Sequence, residues 1–219
     1  ISPGPVGGHN WQPMAYNPTT GLVYFPAHVS SFPFGNDSIW KFDVKGKNIS
    51  APIAHLPTIA DPNRPENMNQ GQLLAWDPQT QKEVWRVNYP ATFWNGGVMA
   101  TAGGLVFQGT GEGKFIAYDA ADGKKLWETN VGSGVIAAPV TYMMNGKQYV
   151  SIAVGWGGNP GHRVRFTEEN YPGTIFTFAI DAKETYSGFY KSRPKQLIQL
   201  PVSATAEEIS KGQLLYNAN

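Results

Sequence analysis

Trp94-Asn95-Gly96-Gly97-Val98, Gly104-Leu105-Val106-Phe107-Gln108-Gly109, Phe115-Ile116-Ala117-Tyr118-Asp119, Asp122-Gly123 and Lys125-Leu126-Trp127 follow one another along the chain. Short apolar segments alternate with turns that contain Gly or Asp-Gly, the pattern of antiparallel strands joined by tight hairpins. The stretch makes up most of one four-stranded unit.

The unit recurs. Ala75-Trp76-Asp77-Pro78-Gln79-Thr80-Gln81-Lys82-Glu83-Val84-Trp85 lies over Ala117-Tyr118-Asp119-Ala120-Ala121-Asp122-Gly123-Lys124-Lys125-Leu126-Trp127, with Ala, Asp, a Lys and the closing Trp in register. Asp77 and Asp119 are 42 residues apart, and a period of roughly 40–45 residues with four strands per unit is that of a β-propeller blade. The fold class is therefore all-β, built of propeller blades. A weaker third copy, Phe178-Ala179-Ile180-Asp181, keeps the Ala and the Asp, and Gly21-Leu22-Val23-Tyr24 matches Gly104-Leu105-Val106-Phe107 as an inner strand. In this motif the Asp accepts backbone N–H groups of the following turn, which marks Asp77 and Asp119 as turn-formers and not catalytic carboxylates. The small Ala leaves room for a neighbour. The closing Trp85 and Trp127 fill the wedge between adjacent blades, where burial of such a ring is worth roughly 2–3 kcal/mol or more.

The repeat resembles the tryptophan-docking motif of the pyrroloquinoline-quinone (PQQ) dependent alcohol dehydrogenases. Asn10-Trp11-Gln12-Pro13-Met14-Ala15-Tyr16-Asn17-Pro18, Trp94-Asn95-Gly96-Gly97, Ala137-Ala138-Pro139-Val140-Thr141-Tyr142 and Val154-Gly155-Trp156-Gly157-Gly158 are similar to the C-terminal part of that family, in the same order. The resemblance covers residues 1–181 and implies the last blades of an eight-bladed quinoprotein propeller. It also implies that Asn10 contacts the quinone, that Trp11 and Trp94 wall it, that Val154 reaches it and that Trp156 lines the alcohol cavity. An amide suits the first role because it both donates to and accepts from a planar cofactor. Each has a plainer alternative: Asn10 caps a turn, and Trp11, Trp94 and Trp156 only pack.

Bulk properties agree with this class. The 25 Gly, 17 Pro and 13% aromatic residues signal many turns and large packing side chains. A formal net charge of +1 gives no electrostatic case for nucleic acid. No apolar stretch reaches 18 residues. Without Cys there are no disulfides, Cys-ligated metals or thiol chemistry in this segment. The histidines at 9, 28, 55 and 162 show no ligand spacing, so no metal site is expected here. Gly109-x-Gly111-x-Gly113 looks like a phosphate loop, yet nothing helical follows, so it reads as a hairpin turn.

The remaining segments depart from the repeat. Residues 28–71 form an insertion within the first blade, read as a surface loop with one strand pair near Ile39-Trp40-Lys41-Phe42. Residues 135–143 and 148–154 read as strands joined by the Asn145-Gly146 turn. Residues 182–204 read as a linker. Thr205-Ala206-Glu207-Glu208 is a capping box opening a helix with Ile209, Gly212 and Tyr216 on one face. That helix, 205–219, resembles the first helix of a truncated cytochrome c-like domain, with a generic terminal helix as the alternative.

With only about three blades and no initiator Met, the chain is expected to be an incomplete piece of a longer polypeptide. The resemblance then implies a periplasmic quinohaemoprotein alcohol dehydrogenase. Such an enzyme oxidises primary alcohols to aldehydes with PQQ and Ca²⁺ and passes electrons to haem c in a cytochrome domain or subunit. It implies further that the general base and the calcium ligands lie upstream and the haem attachment motif downstream, so no catalytic or metal residue is assigned here. A membrane-bound partner subunit is compatible with the same family. Two rivals stand beside it: a quinoprotein dehydrogenase without a fused cytochrome, and a non-catalytic propeller scaffold.

Overall fold

The computed structural model of the chain describes residues 3–4, 7–30, 41–42, 44, 69–90, 94–156, 173–183 and 204–217. The chain divides into two compact units, Ile1–Pro33 with Leu56–Ser192, and Phe34–His55 with Arg193–Asn219.

The first unit carries three antiparallel sheets. Strands β1 (Ala15–Asn17), β2 (Leu22–Ser30), β3 (Asn69–Asp77) and β4 (Lys82–Tyr89) form one sheet in chain order. Strands β5 (Val98–Ala100), β6 (Leu105–Gly109), β7 (Lys114–Asp119) and β8 (Lys125–Asn130) form the second, again in chain order. The third joins β9 (Val140–Met144), β10 (Lys147–Val154) and β11 (Thr174–Phe178). These sheets are blades of a β-propeller. Three sequence expectations are refined by them. The insertion is shorter than 28–71, because Val23–Ser30 pair with Asn69–Trp76 without interruption. The strand expected from Val135 begins only at Val140, since Val135 instead bridges in parallel to Gly155. Lys41 and Phe42, from the expected strand pair of the insertion, lie outside any strand, while Ile39 and Trp40 fall outside the described residues.

The repeat motif explains the packing. Ala75 stands opposite Trp85, and Ala117 opposite Trp127, so the small residue makes room for the large one on the neighbouring strand. In both blades the register shifts directly after that Ala, which leaves Val84 and Leu126 as the extra residues of two equivalent bulges. A bulge increases local twist and re-aims the side chains around it. Trp85 is thereby turned onto the next blade, where its Nε1 donates to the Ala120 carbonyl at 3.1 Å and its ring lies against Gly123. Trp127 remains 39% exposed but meets Phe178 of the third sheet edge-to-face at 5.3 Å.

Strand β7 shows how the core is shared. Ile116 and Tyr118 join Tyr24, Leu73, Trp85 and Tyr89 in a core between the first two sheets. The alternate residues Phe115 and Ala117 join Val131, Val135, Ile152 and Val154 in a core between the second and third. Period-two alternation with both faces covered makes β7 almost uniformly buried.

Asp77 and Asp119 form turns as expected. The Asp77 carboxylate accepts from Thr80 Oγ1 at 2.8 Å and from the Gln79 and Thr80 amides, and Asp119 accepts from the Ala121 amide. The Thr80 hydroxyl, followed by these amides, holds the Asp77 pKa below the usual aspartate value. Because the folded pKa is depressed, the turn's stabilisation is present above the unfolded pKa and is lost as pH falls through the folded one. The Gln79 and Thr80 amide resonances should therefore titrate on the acid side of an ordinary aspartate in NMR, and Asp77→Asn should abolish that titration while keeping the turn. The Gly109–Gly113 run is likewise a hairpin turn, closed by Gly113 N–H donating to the Thr110 carbonyl at 3.1 Å.

In the second unit, helix α1 (Ala206–Asn217) begins at the expected capping box. The Glu208 amide donates to Thr205 Oγ1 at 3.3 Å, and Glu208 Oε2 accepts from the Thr205 amide at 2.8 Å. Ile209 is half exposed, and a side chain at Gly212 would enter open space.

Candidate functional site

Four segments converge at one end of the first two blades. The Trp94–Gly97 turn is pinned by the strand beside it: Gly96 N–H donates to the Gly109 carbonyl at 2.9 Å, and Asn95 Oδ1 accepts from the Gly111 amide at 3.1 Å. Gly96 has no room for a side chain, because a Cβ would lie 2.5 Å from the Ala137 carbonyl oxygen. At Gly97 a Cβ would lie 2.6 Å from Pro13 Cδ, and Val98 N–H donates to the Pro13 carbonyl at 3.0 Å. That contact locks residues 10–13 onto the turn and brings Trp11 over Trp94, with ring centroids 6.3 Å apart and planes inclined by 23°. His28, whose amide donates to the Gly8 carbonyl, places its ring 5.3 Å from that of Trp94, with the planes inclined by 56°. His9 Nδ1 lies 2.6 Å from the Pro26 carbonyl oxygen, and since a carbonyl only accepts, that nitrogen carries the proton.

The residues expected to matter are placed as follows. Trp11 is 51% exposed and Trp94 partly buried, so the stacked pair presents an open aromatic face. Asn10 is exposed, and its Oδ1 accepts from the Trp11 amide at 2.9 Å, which caps the local turn. Val154 is buried in the core between the second and third sheets. Trp156 stands on the other side of the Val135 segment: its indole covers Gly134, where a Cβ would lie 2.1 Å from Cε2, and Gly155 N–H donates to the Gly134 carbonyl. Val135 in turn donates its amide to the Thr110 carbonyl at 2.9 Å, directly after β6. The structure thus joins Trp11 with Trp94, and Val154 with Trp156, through two neighbouring sections of backbone.

Gln12 was not anticipated. It is 2% exposed, and neither its Oε1 nor its Nε2 meets a hydrogen-bond partner among the described residues. A buried amide left this way costs roughly 1–3 kcal/mol, so it is the mark of a group that something else satisfies. Its flanking Asn10-Trp11 and Pro13 were the signal available in the sequence. Residues 7–14, 94–98, 134–137 and 153–156 contain no Asp, Glu, Lys or Arg. This face can therefore grip a flat polar molecule with rings and amides, but it contains no carboxylate to take a proton. Among the described residues no group of three or more His, Cys, Asp or Glu could hold a metal ion.

A quinohemoprotein alcohol dehydrogenase of Comamonas testosteroni is 45% identical over 99% of this chain, which covers 31% of that protein. A crystal structure of the quinohemoprotein alcohol dehydrogenase from that organism matches with a TM-score of 0.68 and 41% identity, over 99% of this chain and 32% of the other. Along almost its whole length the chain is similar to one part of the quinohaemoprotein alcohol dehydrogenases. A further relative, the 1-butanol dehydrogenase (cytochrome c) of Thauera butanivorans, is 42% identical over 99% of this chain and 31% of its own length. The chain thus spans about a third of its relatives' length. A family model described as outer membrane protein assembly factor BamB matches residues 69–152, which run from β3 to β10.

Proposed function

We propose that this chain forms part of the cofactor face of a periplasmic, PQQ-dependent quinohaemoprotein alcohol dehydrogenase that oxidises primary alcohols to aldehydes and delivers electrons to haem c. The observation that carries the reading is the open Trp11–Trp94 aromatic face beside the buried Gln12 amide, which meets no hydrogen-bond partner among the described residues. A planar quinone with carbonyl groups fits both halves of that arrangement. The names of the relatives support the substrate class and the cytochrome acceptor.

When bound, PQQ supplies the two-electron acceptor for the alcohol. Trp94 and Trp11 offer the apolar wall, and the Asn10 and Gln12 amides orient the polar rim by donating and accepting. Gly96 and Gly97 keep side chains off the turn so that its backbone stays tight against the sheet. The Val154 side chain is committed to the core, so its share of the contact is through backbone. Trp156 closes the alcohol cavity against water. The proton of the alcohol goes to a base outside this face, and the calcium ligands and the haem attachment site lie outside this chain on the same reading. No helix among the described residues is long and apolar enough to cross a membrane, and a membrane-bound partner subunit would supply any anchoring.

The test is alcohol turnover by the full-length protein loaded with PQQ and Ca²⁺, using 1-butanol and an artificial electron acceptor. Quinone-dependent turnover is expected, with Trp94→Ala lowering kcat/KM by about tenfold or more through loss of a ring contact of ~1.4 kcal/mol. Absence of quinone-dependent turnover with any primary alcohol would overturn the reading in favour of a scaffold.

A further inference from the structure

Behind the Trp94–Gly97 turn lies a buried polar chain that neither the sequence motifs nor the cofactor contacts explain. Gln108 is fully buried in β6, and its Nε2 donates to the Gly96 carbonyl at 3.0 Å. Its Oε1 accepts from the Tyr89 hydroxyl at 2.8 Å. Tyr89 belongs to β4 of the first blade, whereas Gln108 belongs to the second. The Tyr89 oxygen also lies 2.8 Å from the Tyr118 hydroxyl. Since the single proton of Tyr89 is given to Gln108, Tyr118 must be the donor in that contact. All the bonds then run one way: Tyr118 to Tyr89 to Gln108 to the carbonyl of Gly96.

We propose that this Tyr118–Tyr89–Gln108 relay is the device that sets the Trp94–Gly97 turn, making Gln108 and Tyr89 positioning residues for the aromatic cofactor face. The idea rests on the functional reading above for its effect on quinone, but not for its effect on the turn. Two features argue for it. Gly96 is held on both sides, its N–H by the Gly109 carbonyl and its carbonyl by Gln108, so one rigid strand fixes the two successive peptide planes that flank Gly96, two residues from Trp94. The relay also crosses the blade interface, so the turn reports the docking of one blade on the next. Burial raises both phenols, Tyr118 to about 12 and Tyr89 well above the usual tyrosine value. The hydroxyls therefore stay protonated, and the direction of the relay does not change across neutral and mildly alkaline pH.

The test compares Gln108→Leu, Tyr89→Phe and Tyr24→Phe in the full-length protein. Tyr24 is the control: its buried hydroxyl donates across the same interface to the Ala120 carbonyl at 2.8 Å and does not touch the turn. Hydrogen exchange of a peptide spanning residues 94–98 and the PQQ dissociation constant are both read. In Gln108→Leu, exchange should accelerate and PQQ affinity should fall about tenfold, and in Tyr89→Phe about threefold, as expected when the buried hydrogen bond to the Gly96 carbonyl is lost outright or only loses its support. Tyr24→Phe should lower Tm by a similar amount while leaving exchange at 94–98 and PQQ affinity at wild-type values. Equal exchange and equal affinity across all variants would overturn the relay and leave Gln108 as ordinary packing. Wild-type protein that binds no PQQ would overturn the functional reading instead, and exchange at 94–98 would then decide the relay alone.

Discussion

Trp85→Ala should lower the stability of the full-length protein by about 3–5 kcal/mol, the range for deleting a large buried aromatic side chain, read from the urea midpoint. The ring is 8% exposed and does three things at once. It fills the space opposite Ala75, packs on Tyr24 with centroids 5.6 Å apart, and donates across the interface to Ala120. Trp85→Phe keeps most of the packing and loses the hydrogen bond, so a loss of about 1–2 kcal/mol is expected. The same dock can be blocked from the far side. Gly123 has φ of 73° and a Cβ there would lie 2.6 Å from Trp85 Cε3, so Gly123→Ala should rival the tryptophan deletion. A loss of under 1 kcal/mol for both Trp85→Ala and Gly123→Ala would contradict the docking account.

Gly97→Ala should weaken PQQ binding by more than tenfold with a smaller effect on stability. The new Cβ would meet Pro13 Cδ at 2.6 Å and Ala138 Cβ at 2.9 Å, and neither belongs to the far end of a flexible side chain. Relief by moving Pro13 stretches its hydrogen bond to Val98 and slides Trp11 off Trp94. Overpacking of this kind costs about 1–3 kcal/mol, and because the strain falls on the proposed cofactor face, affinity should drop by more than tenfold. Gly103→Ala is the control, since a Cβ there meets only Thr101 Oγ1 at 3.8 Å. Full affinity in Gly97→Ala would mean that the Pro13 contact does not position Trp11.

The repeat made the blades legible. Ala-x-Asp and the closing Trp, 42 residues apart in Asp77 and Asp119, predicted the four-stranded antiparallel units and the packing of Trp85 between adjacent blades. The paired bulges at Val84 and Leu126 were not legible, because a bulge adds one residue to one strand and leaves no compositional trace. At the turn following Asp77, Gln81 takes φ of 55° where the second copy uses Gly123; the geometry is conserved between the copies although the residue is not. Residues 28–30 and 69–71 read as loop because the insertion's Pro and Asn content begins beside them, yet ladder pairing extends the strands through His28 and Gly71. In the candidate site, Trp11 and Trp94 could be named from their motifs. Gln12, His28 and Gln108 could not, since a lone amide or imidazole within a strand or loop looks like any surface polar residue until burial and partners are known.

The most direct test of the account is titration of PQQ into the full-length protein in the presence of Ca²⁺, followed by quenching of tryptophan fluorescence. The account predicts saturable binding at one site with strong quenching, and an affinity at least tenfold weaker in Trp94→Ala. Quenching that never saturates, or an isotherm identical in wild type and Trp94→Ala, would contradict the assignment of this face to the quinone.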